Sequence, residues 1–221
     1  MKKTLYLLCI MFAVLSCTND EEPLRLCKSE ISIPYCEIFD LKANKDCIWS
    51  TDNSWVASVY DGRVYSLHLG TANITAEHDG EKVSCKVTVT PVSNLYQDPI
   101  LDFGKTATEI KTKETNKLIE DHSSETPDFY IEYGSTDKKI ARILYIFKNE
   151  KLIISRIDFY KTYVGSQEIF DHLLERCEFI YIYNDGEWFA GGGLYACIRN
   201  SSLYFKLYYS NTQENILILN Y

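Results

Sequence analysis

The sequence predicts an all-β sandwich followed by an α+β domain of two helices on a curved antiparallel sheet. Three observations predict it. Between residues 24 and 91, short apolar runs of period two are punctuated by turn signals such as Asp61-Gly62 and Asp79-Gly80. Between residues 93 and 221, a helical signature followed by antiparallel strands occurs twice, which suggests an internal duplication. The chain is 46% hydrophobic, enough for a proper core, and its 17 tyrosines lie mostly in the strand-like stretches.

The chain opens on Met1-Lys2-Lys3, an apolar run Leu5–Leu15, then Ser16-Cys17. The run is shorter than the roughly 20 residues that span a bilayer, so it reads as an export signal. Val14-Leu15-Ser16-Cys17 resembles the lipobox of bacterial lipoproteins. That resemblance implies removal of residues 1–16, acylation of Cys17 and a membrane tether through the lipid. Residues 17–23 carry the acidic cluster Asp20-Glu21-Glu22. This tether is similar to the surface-export signal of Bacteroidetes-type lipoproteins, which implies an outer-membrane protein exposed on the cell surface.

In the first block, Cys47-Ile48-Trp49 opens a strand, and Ser50-Thr51-Asp52-Asn53 is expected as a turn. Val56–Tyr60 and Arg63–Leu69 flank Asp61-Gly62. Thr71–Glu77 places Ala72, Ile74 and Ala76 on one face, and Glu81–Val89 does the same with Val83, Cys85, Val87 and Val89. Cys85 should therefore point into the core.

This block resembles the group 2 bacterial immunoglobulin-like domain. The resemblance is carried by Trp49-Ser50-Thr51-Asp52, Val56-Ala57-Ser58-Val59, Asp61-Gly62-Arg63-Val64, Leu69-Gly70-Thr71-Ala72-Asn73-Ile74-Thr75-Ala76 and Val87-Thr88-Val89. It implies an Ig-like sandwich over residues 24–91 that acts as a spacer or adhesive module and holds no catalytic residues. Four cysteines depart from the pattern: Cys27, Cys36, Cys47 and Cys85.

In the second block, Thr106-Ala107-Thr108-Glu109 forms a capping box, and a helix should run to about Ile119. Strands follow at Asp128–Tyr133, Ile140–Phe147 and Lys151–Phe159. Ser166 is expected to cap a second helix through about Cys177, with Ile169, Phe170, Leu173, Leu174 and Cys177 on one stripe. Five more strands are expected at Phe179–Tyr183, Glu187–Phe189, Gly193–Arg199, Leu203–Tyr209 and Asn215–Asn220. The arrangement is similar to uncharacterised C-terminal domains that follow Ig-like modules in exported lipoproteins.

Nothing in the sequence assembles an enzyme site. His172 and Cys177 lie about 140° apart round a helix, so they form no dyad. Asp171 and Glu175 read as a solvated acidic face. Gly191-Gly192-Gly193 lies between strands with no following lysine, so it reads as a wide hairpin or bulge rather than a phosphate loop. Six cysteines remain beyond Cys17, and an even number in an exported chain suggests disulfides. Cys27, Cys36, Cys47 and Cys85 are expected to pair among themselves, and Cys177 with Cys197. No CxxC spacing points to a metal, and no cofactor is expected. A net charge of -8 argues against nucleic acid as a partner. Candidate binding residues are the aromatics Trp188, Tyr195 and Trp55, which could stack on a sugar ring or grip a protein; the favoured alternative for Trp188 is that it packs under the second helix, and Trp55 could equally be an ordinary exposed residue. The expected function is recognition of a protein or glycan at the cell surface; the competing reading is a structural role in the outer-membrane envelope.

Overall fold

The computed structural model describes residues 22–124, 127–183 and 186–218. The leader, Cys17 and all of the acidic tether before Glu22 lie outside the described residues. The described residues are mostly β, arranged as three sheets.

Two small sheets occupy the first block. One has the order β1 (Glu30–Pro34), β7 (Glu81–Thr90), β6 (Gly70–His78), β3 (Ile48–Thr51). The other has β2 (Ile38–Asp40), β5 (Arg63–Ser66), β4 (Ala57–Tyr60). β1 runs parallel to β7, and the remaining pairs are antiparallel. Alternate residues of both sheets meet in one core: Ile31, Ile33, Ala72, Ile74, Cys85, Val87 and Val89 from the first, Ala57 and Val64 from the second, with Leu41 and Val56 beside them. The inward placement of Cys85 follows the period-two expectation. β3 runs through Ser50 and Thr51, two residues into the expected turn; Asp52 then closes it by accepting from Asn73 N and Nδ2, both at 2.7 Å.

The third sheet has eight strands in the order β12 (Glu178–Tyr183), β13 (Gly186–Gly191), β14 (Leu194–Asn200), β15 (Tyr204–Ser210), β11 (Lys151–Tyr160), β10 (Ile140–Lys148), β9 (Phe129–Gly134), β8 (Lys117–Asp121). All its pairs are antiparallel. Asn149 and Glu150, at φ +49° and +62°, make the tight β10–β11 hairpin. One face carries the main core: Tyr133, Tyr145, Ile157, Phe159, Phe189, Ala196, Ile198, Leu207 and Tyr209. Helices α1 (Ala107–Lys113) and α2 (Ser166–Leu174) cover that face with Ile110, Ile169 and Leu173.

The opposite face holds a smaller core of Ile154, Trp188, Cys197 and Tyr208 under a third helix, α3 (Gln213–Ile218), which contributes Ile216. This helix takes up residues 215–218 of the strand expected over 215–220; 219 and 220 lie outside the described residues. The Thr212 hydroxyl accepts from Asn215 N at 3.4 Å, as an N-cap does, and starts the helix.

Two other boundaries differ from expectation. α1 has the predicted capping box but stops at Lys113, because the Glu114 carboxylate takes the amides of Thr115 and Asn116, both at 2.8 Å, and turns the chain into β8. α2 is capped by Gly165, whose N–H donates to Glu168 Oε2 at 2.7 Å, rather than by Ser166, and it ends before Cys177. Gly192 and Gly193, both at positive φ, form a tight two-residue turn between paired Gly191 and Leu194, not a wide loop.

Among the described residues, Leu69 and Trp55 bring the first block against the second. Leu69 N donates to the Glu175 carbonyl at 2.8 Å. Trp55 stacks on His68 at 3.7 Å, and Gly191 and Gly192 crowd its indole.

Candidate functional site

A cleft of about 340 Å³ opens beside α1. That volume is at the lower end of small-ligand sites. One wall is the extended segment Gln97–Ile100, a second the turn Lys113–Asn116, and a third the β9–β10 turn Ser135–Asp137; Ile140, Ile143 and Tyr145 make the floor.

Glu114 builds the second wall. Its Oε1 accepts from Thr115 N, Asn116 N and Asn116 Nδ2, each at 2.8 Å. Its other oxygen accepts from the Tyr145 hydroxyl at 2.5 Å, and that hydroxyl in turn accepts from Ile100 N at 3.2 Å. Burial, reinforced by the Glu114 charge, pushes the Tyr145 phenol far above its ordinary value. Tyr145 is thus a permanent neutral donor that locks two walls to the floor.

Asp98 builds the first wall. Arg176 Nη2 lies 2.9 Å from Asp98 Oδ2, and His172 Nε2 lies 3.4 Å from Oδ1. Burial pushes the Asp98 carboxyl up, but the His172 and Arg176 hydrogen bonds and the Arg176 charge outweigh it and hold it below the usual carboxylate range. Both acids are therefore committed to structure. Two charged groups also line the cleft: Lys113, paired with Asp102, and Asp137, whose Oδ1 accepts from Lys139 N at 2.9 Å. Between them stand the amides and hydroxyls of Gln97, Thr115, Asn116, Ser135 and Thr136, above a floor of Ile140, Ile143 and Tyr145. Such a lining recognises by hydrogen bonding.

His172 also lies 3.0 Å from Ser93 Oγ through Nδ1. Ser93, His172 and Asp98 are the residue types of a nucleophile, base and orienter. Their setting is different. His172 is fully buried, with the Tyr96 ring 4.2 Å from its own. Asp98 is engaged by Arg176, Ser93 Oγ takes the Leu95 amide at 3.4 Å, and Ser93 does not line the cleft that Asp98 borders. The trio ties the inter-block segment to α2. Glu175 completes the clasp: its carboxylate accepts from Val92 N at 3.3 Å and Ser93 N at 2.6 Å. It is buried, not on the solvated face expected for it, while Asp171 is exposed. Sequence spacing carries no signal of this network, since Ser93 and His172 stand 79 positions apart.

The aromatics picked from the sequence are not on the cleft. Trp188 is 1% exposed in the core beneath α3, its indole N–H donating to the Tyr183 carbonyl at 3.2 Å. Its burial withdraws it from ligand contact. Tyr195 is half-buried and borders a shallow concavity with Ile180 and Gly193. Trp55 is half-buried between His68 and the glycine turn.

The expected disulfides are not formed: Cys27, Cys36, Cys47, Cys85, Cys177 and Cys197 are all free thiols. Cys177 belongs to the main core and Cys197 to the core on the opposite face of the sheet, which keeps those two apart. Burial pushes their thiols up to about 12 and about 11. Among the described residues, no group of three His, Cys, Asp or Glu side chains is placed to hold a metal ion, and no helix is long and apolar enough to cross a membrane. Comparison with models of known protein families and with curated proteins finds no match to this chain.

Proposed function

We propose that this is a lipid-anchored cell-surface binding protein, in which an Ig-like sandwich of residues 24–91 serves as stalk for an α+β module of residues 93–221 that recognises a glycan or protein. The observation that carries the reading is the cleft beside α1: a rim rich in amides and hydroxyls, with Lys113 and Asp137 among them, over an apolar floor, with walls held by Glu114, Tyr145 and Asp98. Amides and hydroxyls suit the hydroxyls of a sugar or the backbone of a peptide. The lipobox-like Val14-Leu15-Ser16-Cys17 supports the anchor, and the two sheets packed on one core support the stalk.

Two measurements test this. In cells fed a clickable palmitate analogue, the full chain should take up label and Cys17→Ala should not; equal labelling of both, or of neither, overturns the anchor. On a glycan and peptide array, the full chain should give a signal that falls at least tenfold in Asn116→Ala and Thr136→Ala with folding unchanged. A signal indifferent to both variants overturns the site.

A further inference from the structure

Both edges of the eight-stranded sheet are open among the described residues, and they are built differently. β8 reads Lys117-Leu118-Ile119-Glu120-Asp121, with charge at both ends. That is how proteins protect an edge from pairing. β12 reads Glu178-Phe179-Ile180-Tyr181-Ile182-Tyr183, and all six residues are exposed. Phe179, Ile180, Tyr181, Ile182 and Tyr183 are exposed by 40%, 47%, 37%, 70% and 53%, so apolar groups face solvent on both sides of the strand. Glu178 at its start and a β-bulge at Ile180 blunt it.

We propose that β12 pairs antiparallel with β12 of a second copy across a two-fold axis, independently of the ligand reading above. The strand is self-complementary. With the axis between Ile180 and Tyr181, Phe179 faces Ile182 and Ile180 faces Tyr181, and aromatic–aliphatic pairs are favourable cross-strand neighbours. The one charge, Glu178, faces Tyr183. The two glutamates are then about 17 Å apart at roughly 3.4 Å per residue, beyond the ~8 Å screening length of physiological salt. The five residues expose on the order of 500 Å² per copy, hydroxyls included, and edge pairing buries part of it from each copy, which places the contact among weak interfaces of under about 1,200 Å² in total. Two-fold pairing closes at the dimer, whereas β12 against β8 would propagate without limit. The neutral strip also lets copies of net charge -8 approach.

The test is sedimentation velocity on the full chain in density-matched non-ionic detergent, over about 1–100 μM, the range of modest self-affinities. A concentration-dependent species of twice the monomer mass is expected, strengthened by added salt. Ile182→Lys should weaken it at least tenfold with the melting curve unchanged, and Leu118→Lys on the other edge should leave it intact. A monomer at every concentration overturns the proposal. So does a dimer indifferent to Ile182→Lys, or oligomers larger than a dimer that both variants dissolve. A photocrosslinker at Ile182 that captures a different protein in cells and no second copy overturns it as well.

Discussion

In a strand covered on one face, period-two alternation tells inside from outside. β13 is covered on both: Phe189 enters the core under α2, and Trp188 enters the core under α3. Trp188 and Phe189 are adjacent and both apolar, so alternation cannot send one of them outward; the sequence favours Trp188 packed under a helix, but under α2, where the structure places it under α3. Trp188→Ala should cost about 3–5 kcal/mol, as large aromatic truncations in cores do, measured by urea unfolding. A cost below 1 kcal/mol would mean the indole is not part of the core. Tyr145 obeys the same logic with a polar handle. It is fully buried, yet its hydroxyl has a partner on each side. Tyr145→Phe leaves the Glu114 oxygen short of a donor and should cost about 1.5–3 kcal/mol, the range for a hydrogen bond to a charged group. The same variant should blunt array binding without abolishing it, because the amides at Thr115 and Asn116 still hold the turn.

Elements were legible where their signals are local. The capping box at Thr106 and Glu109 forms as its four residues dictate, and the Asn149-Glu150 hairpin sits where the turn chemistry places it. Lengths were less legible. α1 stops early because Glu114 reaches forward to two amides, a choice no periodicity encodes. α3 was hidden because Ile216-Leu217-Ile218 has strand-forming residues; the Thr212 cap and burial of Ile216 against Trp188 outweigh that preference. β2 has three residues, too few to register as a pattern. The glycine turn belongs to this scale too. Gly191 sits at φ +155°, and an added Cβ would overlap the Trp55 ring. Gly191→Ala should cost about 1–3 kcal/mol, the usual penalty of overpacking, and should make Trp55 more accessible to acrylamide quenching. Unchanged quenching would mean that the turn and Trp55 are not in contact in solution.

At the scale of the molecule, Glu175 and Asp98 decide how the two blocks and the cleft relate. The Glu175 carbonyl receives Leu69 N from the first block, and its carboxylate receives Val92 N and Ser93 N from the connecting segment. Arg176, next in the chain, crosses to Asp98 in the cleft wall, and His172 touches both Ser93 and Asp98. One turn of chain after α2 therefore ties first block, connector and cleft together, and the tie has a titratable member in Asp98. His172 and Arg176 hold the Asp98 carboxyl below its ordinary range. A depressed carboxyl stabilises the fold above its unfolded value of about 3.9 and loses that contribution as pH falls through its lower folded value. Wild type should then lose melting temperature faster than Asp98→Asn as pH drops below about 4, and the two curves should converge at the acid end. At neutral pH the variant should melt lower, and its cleft ligand should bind more weakly because the Gln97–Ile100 wall is no longer held to α2. Parallel melting curves down to the acid limit would show that Asp98 titrates without regard to its partners, and the coupling of the cleft to the clasp would then fail with it.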